Sequence, residues 1–206
     1  MALTGWLSNF WPGVVTSFTG GYALSVFLTY KNWLPFFKFK NMGIVKIFKN
    51  QDRASKSIVK DFKKSQFLKL LAMKGDSFSN PKRENPLREI IINSEIKQQY
   101  LISSPDNPYL IKRGKELKMD MKHCVQLSLE NFKTKQKQNT NIEFRIHNTV
   151  VRFRIILLSE FLYLSFQEVN IPGRESPILK INNDSPIYKC FYSLFEDLWE
   201  KYGDSN

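Results

Sequence analysis

The sequence predicts an α/β domain, a mixed sheet flanked by helices, behind an N-terminal transmembrane helix. Three observations predict it. Residues 1–30 contain no Asp, Glu, Lys, Arg or His. Residues 31–74 then hold eleven Lys and Arg53 against Asp52 and Asp61, net +10. After Ser65, short apolar runs alternate with helical patterns, the order that builds a sheet with helices against it. With 206 residues, 42% hydrophobic and 24% charged, the chain is neither a disordered tail nor an all-membrane bundle. Its total of +12 points to a nucleic-acid binder. The placement of that charge points elsewhere, because residues 75–206 carry only +2.

Residues 1–37 are read as the anchor. Phe10–Tyr30 supplies about the 20 apolar residues that a bilayer core requires of a helix. Trp6, Phe10 and Trp11 flank one end, and Tyr30, Trp33, Phe36 and Phe37 the other, as interfacial aromatic belts do. Pro12 suits the first turn. The basic residues follow the apolar run rather than precede it, which argues against a secretory signal. The positive-inside rule then leaves everything after Lys31 on the cytoplasmic side of an inner membrane, crossed once. Gly13, Ser17, Gly21, Ser25 and Thr29 recur every four residues, with Thr16 and Gly20 beside them. Such a small-residue stripe lets helices approach closely, so the expected state is a homo-oligomer in the lipid bilayer.

Residues 38–66 are read as a connector. Ile44, Val45, Ile47, Phe48, Ile58, Val59 and Phe62 are spaced among lysines at near-helical intervals. A basic amphipathic helix on the inner leaflet, facing anionic lipid head groups, accounts for that pattern, with nucleic acid as the competing partner.

Residues 67–206 are read as the cytoplasmic domain. Phe67–Met73 is a buried strand, and Asn85–Ile92 a short helix with Pro86 at its first position. Ile96–Ser103 is a second strand. A helix capped by Asp106 runs on through Leu117, Met121, Val125, Leu129 and Phe132. Ile142–His147 alternates as a strand, and Val150–Leu158 with Phe161–Gln167 forms a hairpin about Ser159-Glu160. Ile178–Ile181 is a last strand, after which Ser185-Pro186 opens a helix with Phe191, Phe195, Leu198 and Trp199 on one stripe. Cys124 and Cys190 form no disulfide framework and match no zinc spacing, so a reducing compartment and no metal are expected, and no cofactor motif is present.

The wording of this domain resembles a phospholipase D-like unit. Lys74-Gly-Asp-Ser-Phe-Ser79, Asn85-Pro-Leu87, Leu101–Tyr109 and Arg113-Gly114 resemble its front half. Arg152–Ser165, Ser176–Leu179, Ser185–Tyr188 and Phe195–Trp199 resemble its back half. The resemblance implies a His nucleophile with Lys two residues on. His123 is followed by Cys124 and Val125, and His147 by Asn148 and Thr149, so the motif is missing and the domain reads as degenerate and non-hydrolytic.

Such a domain can still bind. Ligands favour the carboxyl ends of strands in α/β sheets. The candidates there are Gly75, Asp76, Ser77, Ser103 and Ser104, with Arg113, Arg145 and His147, for a nucleotide or phosphate. The plainer reading gives Ser77 and Ser104 to turns, pairs Arg113 with Glu116 and leaves His147 as a strand end. One membrane segment joined to a degenerate sensing domain resembles the architecture of bacterial antiviral membrane effectors of retrons or CRISPR systems. The expected function is thus a toxin-like sensor-effector that perturbs the membrane after a ligand or a defence-system partner protein is sensed. A membrane-bound phosphodiesterase and a non-toxic membrane adaptor are the alternatives.

Overall fold

Along the chain run β1 (Ile44–Phe48), α1 (Gln51–Phe62), β2 (Phe67–Ala72), β3 (Lys97–Ser103), α2 (Pro108–Leu117), α3 (Met121–Gln138), β4 (Ile142–His147), β5 (Phe153–Leu158), β6 (Phe161–Phe166), β7 (Ile178–Asn182) and α4 (Pro186–Lys201). The structure is a computed structural model, and it describes residues 42–75, 94–167 and 170–203. The strands form one mixed seven-stranded sheet in the order β1-β7-β6-β5-β2-β3-β4. β2, β3 and β4 are parallel neighbours; β5, β6, β7 and β1 continue the sheet antiparallel.

Helices cover both faces, and the central strands are apolar on both sides for that reason. Leu68, Leu70, Tyr100, Ile102 and Ile156 face one way, against Ala54, Ile58 and Phe62 of α1, Leu110 of α2, and Val125 and Phe132 of α3. Leu71, Leu101, Ile155, Leu157 and Leu162 face the other way, against Tyr188, Phe195, Leu198 and Trp199 of α4. Side chains that alternate along each strand thus feed two separate cores. The helices start where capping chemistry dictates. Asn50, Asn107, Asp120 and Ser185 each accept a hydrogen bond from a backbone N–H in the following turn, and Pro108 and Pro186 open α2 and α4.

Three expectations are corrected. The described part of the 38–66 connector, from Met42, belongs to the sheet domain: β1 pairs with β7, and α1 buries Ala54, Ile58 and Phe62. The helical periodicity is real at 51–62, but its apolar stripe covers the sheet. The domain therefore begins at Met42 rather than at Phe67. The single helix from Asp106 to the Lys-Gln tract at 133–138 is two helices, because Lys118 takes the left-handed conformation at φ 51° and Asp120 caps a new start. Asn107, not Asp106, caps the first of them; the Asp106 carboxylate instead accepts from Lys122 at 2.6 Å. The first hairpin strand starts at Phe153 rather than Val150, and its partner ends at Phe166. The anchor at 1–37 and the helix at 85–92 lie outside the described residues. Among the described residues no helix is long and apolar enough to cross a membrane.

Candidate functional site

The parallel strands end in a row. Ala72 of β2 is level with Ile102 of β3, and Ser103 with His147 of β4. A cavity of about 230 Å³ opens beside this edge, on the face covered by α1, α2 and α3. Its floor is Ala72–Gly75 at the end of β2, with Arg154 at the start of β5 and Ser165 and Gln167 at the end of β6. Antiparallel pairing of β2 with β5 brings these ends together. One wall is apolar, made by Leu117, Met119 and Met121 from the α2–α3 junction. The other is Pro172–Glu175 with Gln51, the first residue of α1.

Four cations line this cavity, Lys74, Arg113, Arg154 and Arg174, against one acid, Glu175. Arg113 is buried at 3% exposure. It donates to Glu116 at 2.8 Å and to the Ile171 carbonyl at 2.6 Å, and so ties α2 to the 171–175 loop. Arg154 donates to the Gln51 carboxamide at 2.7 Å. Arg174 pairs with Asp52 at 2.9 Å, while its own carbonyl accepts from the Gln51 N–H at 2.9 Å. The Gln167 side-chain oxygen is buried and makes no hydrogen bond. Guanidinium groups on the lining of a partly apolar cavity suit an anion carrying an apolar body, since a guanidinium is a planar donor matched to the oxygens of a phosphate or carboxylate.

The strand alternation divides the sequence-predicted residues. Gly75 and Arg113 reach the cavity. Ser103, Arg145 and His147 sit on the opposite face, under α4. The Arg145 guanidinium donates to the Trp199 carbonyl and lies 4.2 Å from the centre of the Trp199 ring, beside a second cavity of about 480 Å³ lined also by Lys133 and Tyr202. The Ser104 N–H donates to the His147 carbonyl at 2.8 Å, and its hydroxyl accepts from the Asp106 N–H, which is a turn role. Arg113 does pair with Glu116, as the plainer reading has it. Asp76, Ser77, Gly13, Ser17, Gly21 and Ser25 lie outside the described residues. Sequence reasoning missed Lys74, Arg154, Arg174, Gln51 and Gln167. Only Arg154 left a signal, a cation inside the otherwise apolar run of β5; nothing in Pro172-Gly-Arg174 marks a site.

His147 is an unsuited nucleophile here. It is 1% exposed, neither ring nitrogen makes a hydrogen bond, and its ring lies 6.2 Å from that of Tyr202. Burial lowers its pKa to about 4; the nearby backbone of Thr149 and Ala72 opposes this only in part. The unfolded chain, at 6.5, therefore binds the proton more readily. Stability is whole above pH 6.5 and falls with pH until about 4, by roughly 3 kcal/mol in all. Urea unfolding across that window should show the loss, and His147→Leu should flatten it. Parallel curves for the two proteins would mean that the native ring takes up its proton as readily as the unfolded one. Among the described residues no cluster of three or more His, Cys, Asp or Glu could hold a metal.

No protein-family model matches this chain, and no curated protein matches it in sequence. Among solved structures it is similar to that of TrmBL2, an archaeal chromatin protein described as showing a novel mode of DNA binding. The TM-score is 0.48 at 11% identity, over 94% of this chain and 66% of that one. This chain thus spans just under two thirds of the length of that structure, and the DNA binding is a property stated of that protein.

Proposed function

We propose that the sheet domain is a non-hydrolytic receptor for a small phosphate-bearing ligand, a degenerate relative of phospholipase D-like domains. It serves as the cytoplasmic part of a single-pass inner-membrane sensor-effector. Ligand binding changes how the anchor helices associate, and their association perturbs the membrane, a mode of action suited to antiviral defence. The observation that carries the receptor reading is the cavity beside β2, whose lining holds Lys74 and Arg154 together with Arg113 and Arg174, the last two paired with Glu116 and Asp52. The same lining favours binding over turnover. Neither His123 nor His147 reaches it, and its hydroxyl is that of Ser165, with no imidazole beside it to act as base. The uncharged run at 1–30 and its small-residue stripe support the anchor and its self-association.

Thermal unfolding of the full chain in detergent, with inorganic phosphate or a nucleoside monophosphate added, tests the receptor. A ligand at one hundred times its Kd should stabilise the protein by about 2.7 kcal/mol, and Arg154→Leu should abolish the upshift. An unchanged midpoint in the wild-type chain with every phosphate compound tried removes the reading. A membrane-potential dye tests the effector. Gly21→Leu and Ser17→Leu should prevent depolarisation on expression while leaving the protein in the membrane, and unchanged depolarisation would sink the association step.

A further inference from the structure

Helix α1 buries one side completely. Its outer side carries Arg53, Lys56 and Lys60 at spacings of three and four, with Lys49 just before the helix and Lys63 and Lys64 just after it, all exposed. Residues three and four apart share a face, so these cations form one stripe along a helix about 18 Å long. Of the two acids of α1, Asp61 is turned inward against Lys180, and Asp52, at the edge of the stripe three residues from Lys49 and four from Lys56, is paired with Arg174. Among the described residues no ion pair involves any of the six cations.

We propose that this stripe docks the sheet domain flat against an anionic bilayer. The contact is with the charged head groups alone. Ala54, Ile58 and Phe62 are held in the core, so α1 has no apolar side to insert, unlike a membrane-surface amphipathic helix. What remains is electrostatic attraction, which each added lysine strengthens and salt screens. A duplex nucleic acid offers the same sign of charge. The bilayer is favoured because the uncharged, span-length run Phe10–Tyr30 ends 19 residues before Lys49, which confines the stripe near a membrane surface. The proposal rests on the anchor reading for that confinement.

The test uses the full chain carrying Lys56→Cys, reconstituted into vesicles of phosphatidylcholine with and without phosphatidylglycerol. Maleimide modification is followed site by site by mass spectrometry, with the exposed native Cys190 on α4 as an internal control. The introduced thiol should react several-fold more slowly in the anionic vesicles and recover at high salt, while Cys190 keeps one rate. Adding Lys60→Gln and Lys63→Gln should erase the difference. Equal rates at position 56 in both vesicles overturn the proposal. So does protection that appears in neutral vesicles only when short duplex DNA is added, which would assign the stripe to nucleic acid. An alkaline carbonate wash separates the two readings. A chain that washes off refutes the anchor, and slowed modification at position 56 in anionic vesicles would then still support the stripe.

Discussion

Replacing Asp61 with Ala should lower the unfolding free energy by about 3 kcal/mol, the lower end of what removing one member of a buried ion pair costs. The carboxylate sits at the last turn of α1 and is 10% exposed. It accepts from the Tyr163 hydroxyl of β6 and pairs with the Lys180 ammonium of β7 at 2.5 Å. The Tyr163 hydroxyl in turn lies 2.8 Å from the Ser57 hydroxyl, and the Lys180 ammonium lies 3.6 Å from the centre of the Phe161 ring. Burial, then the hydrogen bond to Asp61, raises the Tyr163 pKa, so the phenol stays a donor throughout the physiological range. Without the carboxylate, a largely buried ammonium loses its counter-ion, and the phenol keeps only the Ser57 hydroxyl as a partner. Adding Lys180→Met should recover part of the loss, since the orphaned charge goes with it. Chemical denaturation of the two variants decides the matter. A loss under 1 kcal/mol in Asp61→Ala would mean that the pair behaves as a solvated surface bridge.

Gly75→Ala should cost a comparable 3 kcal/mol, for two reasons that add. Gly75 has φ +68°, a conformation that costs an L side chain about 1–2 kcal/mol. A Cβ there would also stand 2.7 Å from Ile102 Cδ1 and 2.9 Å from Phe132 Cε2, so two fully buried side chains must move. Because Gly75 also lines the cavity, the variant should lose the phosphate-dependent upshift along with stability. A stable Gly75→Ala protein, within 1 kcal/mol of wild type, would show that the end of β2 relaxes freely.

The strands after Phe67 were legible because covered on both faces they read as apolar runs, and α4 because Ser185-Pro186 marks its start. β1 was not. Ile44-Val-Lys-Ile-Phe48 is a five-residue edge strand whose Val45 and Ile47 stay exposed, so no alternation separates it from the helix that follows. The α2–α3 break hid in Lys118-Met-Asp120, where a lysine adopts a conformation usually left to glycine. The site was half legible. Strand ends point to Gly75, but which neighbours share its face depends on pairing β2 with β5 and β6, a long-range fact that local patterns do not carry. Arg145 and His147 have the right residue types and lie two apart on β4, yet that parity puts both on the far face.

The position of β1 has a mechanical consequence. The chain enters the domain at the outermost strand, held to β7 alone within the sheet, with a register irregularity between Ile44 and Lys46. Tension arriving from the N-terminal side is borne first by the Gly43 carbonyl on the Asn182 N–H and by the Ile44–Ile181 pairing. Under a pull across the strand these bonds load one after another, so β1 should peel before the central strands are loaded. The edge strand is the fuse of the fold.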